Sequence, residues 1–175
     1  IMPSLVGSEM CIRDRSCAII AELTAWAKYQ DKTLFDVLLD IWIRFGLYHD
    51  GLISITKKGK AGAQEIQQIM KTLRNTPPIF LNDILVTDII DYSNLTHLET
   101  KTKKILPLDS HESNVLQFIT EDRSRISIRP SGTEPKIKIY FSVYSSLQSK
   151  GELKEKKDQL DTQISKLSKS LLKRF

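Results

Sequence analysis

The residues with the most evident chemistry form one short stretch, Arg129-Pro130-Ser131-Gly132-Thr133-Glu134-Pro135-Lys136. It gathers two cations, two hydroxyls and a glycine within a few positions, and these groups can surround a dianion. A guanidinium such as that of Arg129 holds a phosphate through two parallel hydrogen bonds, and Lys136 adds a point charge. Gly132 permits close backbone approach and positive φ, so that its N–H and those of its neighbours can turn into one concavity. Phosphate binding is the chemistry these residue types suggest. A hairpin turn with a charged surface has the same composition, because turns are commonly polar, and composition alone does not separate the two.

Such a turn needs rigid flanks. Ser124 to Ile128 and Ile137 to Val143 alternate apolar and polar residues, the period of half-buried strands. Ile84 to Ile90 and Val115 to Thr120 read as two further strands, and Glu121-Asp122-Arg123-Ser124 is a hairpin turn signal. Arg125 lies on a strand near the loop and is a secondary candidate. His97 to Asn114 is polar and weakly periodic apart from Ile105 to Leu108, which predicts a loop or hairpin excursion. From about Gly151 to Leu172, Leu153, Leu160, Ile164, Leu167 and Leu171 recur at helical spacing, so one face of a closing helix should pack on the sheet. Its other face mixes lysines with Glu152, Glu155, Asp158 and Asp161, the pattern of a solvated surface rather than a membrane or nucleic-acid helix. The predicted class is α+β: a four-stranded, mainly antiparallel sheet with helices, over Ile79 to Phe175.

Upstream the pattern is helical. Ser16 to Gln30 predicts one helix, and Thr33 is the expected N-cap of a second, whose stripe of Leu34, Val37, Leu38, Ile41, Trp42 and Phe45 ends at Gly46. Trp26 and Trp42 lie on apolar stripes and are expected in a core. Leu47 to Thr56 looks extended, with His49 beside Asp50-Gly51 read as an exposed turn residue rather than a base. Lys57-Lys58-Gly59-Lys60 leads into a third helix to about Arg74, and is read as a solvated approach rather than an anion site. Asn75-Thr76-Pro77-Pro78 is the predicted domain boundary, because paired prolines stop a helix and stiffen a link.

Composition narrows the function classes. The 175 residues are 41% hydrophobic and 27% charged, ordinary for a globular chain of one domain or two small ones. No apolar run approaches the roughly 20 residues that span a bilayer, and no signal peptide is visible, so cytoplasm is the default location. The two cysteines have neither metal-ligand spacing nor a disulfide framework. The net charge of +5 suits anionic small molecules, while no aromatic-interleaved basic patch favours nucleic acid.

Arg-Pro-Ser-Gly-Thr-Glu-Pro-Lys resembles the phosphate-binding loop in the last domain of the α-D-phosphohexomutases, the phosphoglucomutase/phosphomannomutase family. Asn114 to Asp122 is similar to the strand before that loop, and Ser16 to Leu23 and Ile53 to Lys60 resemble the end of the third domain. The nearest branch is the bacterial phospho-sugar mutases that also resemble phosphopentomutases, and the likeness runs from Ser16 to Phe175. It implies a TATA-binding-protein-like last domain over residues 79–175, preceded over 16–76 by the helical remnant of an α/β third domain. It also implies an intramolecular phosphotransferase that interconverts sugar 1-phosphates and 6-phosphates through a phosphoserine and a bisphosphate, with Mg²⁺ neutralising charge.

By the same resemblance Arg129, Ser131, Gly132, Thr133 and Lys136 hold the substrate phosphate that is not being transferred. Glu134 matches the motif too, but a carboxylate repels phosphate, so its expected part is to orient the loop or Lys136. The departures from the family pattern matter as much. No serine lies in a Thr-Ala-Ser-His-Asn-Pro context, no Asp-Gly-Asp-x-Asp segment is present, and the loop that reads sugar hydroxyls would lie upstream of Ser16. The expectation is a C-terminal part of a longer enzyme, without catalytic residues or Mg²⁺ ligands of its own and inactive alone. Its partners would be a phosphorylated sugar and the missing N-terminal domains, with neither nucleic acid nor membrane. The alternative is a small basic module that binds RNA or a protein through its last helix; it gives no reason for the loop. Residues 1–15 stand apart: Ser4 to Arg15 has no helical or strand period and resembles the translation of a transposase-based sequencing adapter, so the segment is expected to be non-native.

Overall fold

The computed structural model of the chain describes residues 8–175, and side chains from residue 14. It divides into two compact units: the N-terminal helices through Gly46 together with Ser146–Lys150, and Leu47–Ser145 together with Gly151–Phe175.

The first unit holds α1 (Ser8–Tyr29) and α2 (Leu34–Phe45). The helix expected from Ser16 begins eight residues earlier, because neither glycine nor proline interrupts Ser8 to Tyr29. The earlier part of the adapter-like segment, residues 1–7, lies outside the described residues. α2 starts as predicted at Thr33, whose hydroxyl accepts from the Asp36 N–H at 3.2 Å while the Asp36 carboxylate accepts from the Thr33 N–H at 3.0 Å. It ends at Gly46, whose φ of 99° is left-handed backbone that glycine supplies at little cost.

Hydrogen bonds from Thr33, the side chain's first and the backbone's second, hold the Asp36 carboxyl below its ordinary value of 3.8. A depressed folded-state value stabilises the fold fully above the unfolded value, and that contribution is lost as pH falls through the depressed one. Thr33→Ala should therefore lower the thermal midpoint of the helical unit by a few degrees near neutrality, and by less in acid. Intrinsic fluorescence reads this cleanly, because both tryptophans of the chain, Trp26 and Trp42, lie in α1 and α2. An undiminished difference in acid would refute the coupling.

The core expected around those tryptophans is only partly formed. Trp26 is 50% exposed, and Phe35, Ile41 and Phe45 are exposed as well, while Trp42 is half-buried with its ring edge-on to Phe35, and Ala27 and Leu39 are buried. Two helices alone offer too little surface to cover two wide apolar stripes.

The second unit is built on one antiparallel sheet. Its strands are β1 (Leu47–Thr56), β2 (Phe80–Leu81), β3 (Ile84–Asp91), β4 (Thr96–Glu99), β5 (Lys104–Pro107), β6 (Leu116–Thr120), β7 (Arg125–Pro130) and β8 (Lys136–Ser145). The spatial order is β1-β8-β7-β6-β3-β4-β5, with β2 paired on β3, and every pairing is antiparallel. The four strands expected from alternation are β3, β6, β7 and β8. The His97–Asn114 excursion supplies the β4–β5 hairpin, and β1 joins the far edge, Leu47 to Thr56 pairing with Ser145 to Lys136. The compact units divide at Gly46. The prolines do end α3 (Gly59–Asn75), but that helix remains in the unit of the sheet.

Alternation decides the two faces. Ile126, Ile128, Ile137, Ile139, Phe141 and Val143 point to the buried face. There α3 brings Ile66, Ile69, Met70 and Leu73, and α4 (Leu153–Leu172) brings Leu160, Leu167 and Leu171. Polar ties fix the helices. Asp91, 7% exposed, accepts from Arg74 Nε, Ser93 N and Asn94 Nδ2, each at 3.0 Å, so its buried carboxylate is satisfied. Gln163 Nε2 donates to Asp122 Oδ2 at 2.6 Å and to Ser124 Oγ at 3.0 Å, which fastens α4 to the β6–β7 turn. His49 lies within β1, not in a turn, and its Nε2 is 2.8 Å from Asp161 Oδ1 on α4.

Candidate phosphate-binding site

The loop between β7 and β8 sits where the β1–β8 and β7–β8 pairings meet. Thr56 of β1 pairs with Lys136, and Pro130 of β7 pairs with Ile137. Ser131 N donates to Lys136 O and Lys136 N to Glu134 O, each at 2.7 Å, closing the loop on itself. Lys57 N donates to Pro135 O at 2.8 Å and ties the loop to the end of β1. The loop is thus held at both ends by main-chain bonds, which leaves its side chains free to face a ligand.

Arg129, Ser131, Gly132 and Thr133 converge on one cleft of about 310 Å³, completed by Pro130, Lys138 and Tyr140. Lys138 is the member that motif reading missed. It lies directly opposite Arg129 across the β7–β8 ladder, on the face that carries no buried isoleucines. The signal was available in the alternation of β8: Lys136, Lys138 and Tyr140 are spaced by two and so share a face. No ion pair within the described residues engages Arg129 or Lys138. Two adjacent cations without a counter-charge are an unfavourable arrangement that an anion would relieve.

Lys136 is not among the residues that line this cleft; its Nζ is 3.6 Å from Glu134 Oε2. Gly132 does not adopt the positive φ expected of it, and a Cβ built there would meet no atom within 4 Å. The short bonds from Ser131 and Lys136 close the turn without a left-handed residue. What the glycine leaves is open space where a side chain would stand. Thr133 N lies 3.5 Å from Ser131 Oγ. A second hollow of about 240 Å³ lies behind the loop, against Ala63, Ile66 and Gln67 of α3.

Among the described residues no three or more His, Cys, Asp or Glu side chains gather as a metal would need. The donor set for the Mg²⁺ that the resemblance implies is therefore not supplied by these residues. Nor is any helix among them long and apolar enough to cross a membrane.

The phosphoglucomutase of Staphylococcus aureus strain N315 is 36% identical over 142 residues, which cover 78% of this chain and 25% of that protein. The phosphoglucomutase of strain MSSA476 matches to the same extent. The chain thus spans about a quarter of the length of these relatives. Among solved structures, the open form of pp63/parafusin, a phosphoglucomutase from Paramecium, aligns over 67% of this chain and 19% of that one, with a TM-score of 0.40 and 18% identity. The family model of the phosphoglucomutase/phosphomannomutase C-terminal domain matches residues 54–160, from near the end of β1 into α4. The α+β class and the antiparallel sheet are those of the TATA-binding-protein-like last domain that the loop's resemblance implies. With the match covering more than half of its length, the chain belongs to the phosphoglucomutase/phosphomannomutase family and carries its C-terminal domain.

Proposed function

We propose that this chain is the phosphate-holding end of a phospho-sugar mutase that interconverts sugar 1-phosphates and 6-phosphates. The observation that carries the reading is the convergence of Arg129, Ser131, Gly132 and Thr133, with Lys138, on one cleft within a domain of this family. In this reading the cleft grips the phosphate that is not being transferred. It must do so in both orientations of a bisphosphorylated intermediate, so a symmetric point of attachment with no sugar preference of its own suits the task. Fixed main-chain anchors at both ends of the loop keep its donors preorganised, so little ordering is left to binding. Glu134 holds Lys136 close to the loop, where the ammonium adds positive potential.

The phosphoserine and the Mg²⁺ ligands belong, in this reading, to upstream domains of the full-length enzyme. The helices α1 and α2 are the end of its third domain, and residues 1–15 are foreign. The exposed apolar side chains of α1 and α2 support that assignment, since an α/β layer would bury them.

The expected result is that glucose 1-phosphate, titrated into the isotopically labelled chain, moves the amide signals of Gly132 and Thr133. The chain alone should give no turnover in a coupled mutase assay. Silent amides at Gly132 and Thr133 would remove the phosphate reading, and measurable turnover would remove the claim that the chemistry lies upstream.

A further inference from the structure

The helices leave one end of the sheet's apolar face uncovered. Phe141, Ile126, Phe118, Ile89, Leu98 and Ile105 are successive cross-strand partners from β8 to β5, and so form one row on that face. Burial fades along the row. Phe141, Ile126 and Phe118 are fully buried, Ile89 and Leu98 are half-buried, and Ile105 is 66% exposed. Width explains the gradient. Strands β1 and β5 lie roughly 29 Å apart at the ~4.8 Å spacing of a ladder, whereas two helices about 10 Å across cover roughly 20 Å. Helices α3 and α4 pack mainly on β1, β8 and β2, so the shortfall falls at β4 and β5.

What remains open there is a cleft of about 300 Å³ between the Pro77-Pro78-Ile79 link and the β3–β4 ladder, lined by Val86, Ile89 and Leu98. Its walls are fixed. Two prolines stiffen the link, and Val86 N donates to Ile79 O at 2.9 Å. The Thr100 hydroxyl donates to Val86 O at 2.6 Å, and Thr100 N to Thr87 O at 2.9 Å. With those groups paired, the interior is apolar, and its size is at the small end of ligand sites. The mouth is charged. Lys101 and Lys103 both stand there and are exposed. Lys101 Nζ is 2.8 Å from Glu121 Oε1, whereas Lys103 makes no ion pair within the described residues. An apolar interior with one uncompensated cation at its rim matches a molecule with an apolar body and an anionic head. A second copy of the chain is a poor match. Docked edge to edge, it would set Lys101, Lys103 and Lys104 against their counterparts, and Pro107 blunts β5 as an edge.

We propose that this cleft binds a small amphipathic anion, an alkyl or acyl chain of medium length with an acidic head: the chain lies on Ile89 and Leu98, and the head meets Lys103. The cleft lies on the sheet face opposite Arg129 and Lys138, so the proposal is independent of the phosphate reading. The labelled chain is titrated with hexanoate, heptanoate and octanoate, and with 1-octanol and octylammonium to vary the charge of the head. Octanoate should move the methyl signals of Ile89 and Leu98 and the amides of Thr100 and Lys103, and leave Gly132 and Thr133 still. Affinity should rise about fourfold per methylene along the carboxylate series. Octanoate should bind about three- to tenfold more tightly than octylammonium. Lys103→Glu changes an exposed side chain and should reverse that preference. Ile79→Ser, at a position 67% exposed, should weaken octanoate severalfold and keep the preference. No response of Ile89 and Leu98 to octanoate would overturn the proposal, and so would equal binding of all three heads, the mark of a non-specific apolar surface. Shifts at Ile89 and Leu98 that grow with protein concentration, without octanoate, would overturn it in favour of a second copy. Loss of the octanoate response in a longer chain that restores the upstream domains would overturn it in favour of one of those domains.

Discussion

Arg129→Ala should weaken inorganic phosphate binding by about ten- to a hundredfold, the range of one hydrogen bond between charged groups, without destabilising the fold. The two halves of this result have one cause. Arg129 lies opposite Lys138 across the ladder, and neither has an ion pair within the described residues. Like charges directly opposite on a sheet are unfavourable, by some tenths of a kcal/mol up to ~1 kcal/mol. Removing Arg129 therefore relieves repulsion in the free protein while it removes the forked donor from the bound one. The readout is the thermal midpoint with and without phosphate, because a ligand that binds only the folded state raises stability by RT ln(1 + [L]/Kd). The wild type should show the larger phosphate-dependent rise, and the variant an equal or higher midpoint without phosphate. Arg129→Lys should recover the charge but not the two-point grip, so its affinity should fall between the two. A midpoint well below wild type in phosphate-free buffer, with phosphate affinity intact, would make Arg129 a structural residue and sink the argument.

How much of this was legible in the sequence follows from range. β7 and β8 and the turn at Glu121–Ser124 were readable because period-two alternation and turn chemistry are local. The capping box at Thr33 and the stop at Gly46 were readable for the same reason. The place of β1 was not, since a strand of residues 47–56 gives no local sign that its partner is residues 136–145. That pairing places β1 in the compact unit of the sheet. Lys138 was hidden by reading the loop as a motif that ends at Lys136, although the pleat sets Lys138 against Arg129. Gly132 misled through its usual conformational role; here it supplies room rather than a left-handed turn. Trp26 followed a helical stripe correctly, but a stripe shows which side wants cover, not whether cover is present.

Gly62→Ala should destabilise the sheet unit and weaken phosphate binding together, although Gly62 does not line the loop cleft. Helix propensity argues the other way, since alanine is favoured over glycine inside a helix by ~1 kcal/mol. Packing decides the sign. A Cβ at Gly62 would lie 2.5 Å from Lys57 Cβ and 2.8 Å from the Lys57 carbonyl carbon. No rotamer of Lys57 moves either atom, so the backbone between β1 and α3 has to shift, at the ~1–3 kcal/mol or more typical of overpacking. That backbone also carries the Lys57 N–H that donates to Pro135 O at 2.8 Å. A shift there loosens one of the loop's anchors and with it the preorganisation of Ser131 and Thr133. Gly59→Ala is the control: its φ of +65° strains any other residue, but an added Cβ meets nothing within 4 Å. Gly59→Ala should therefore lose stability with phosphate affinity intact, whereas Gly62→Ala should lose both. Urea unfolding followed by far-ultraviolet circular dichroism, with phosphate affinity measured on the same samples, distinguishes them. A Gly62→Ala variant as stable as the wild type would mean that propensity outweighs the contact with Lys57, and that the β1–α3 junction does not hold the loop.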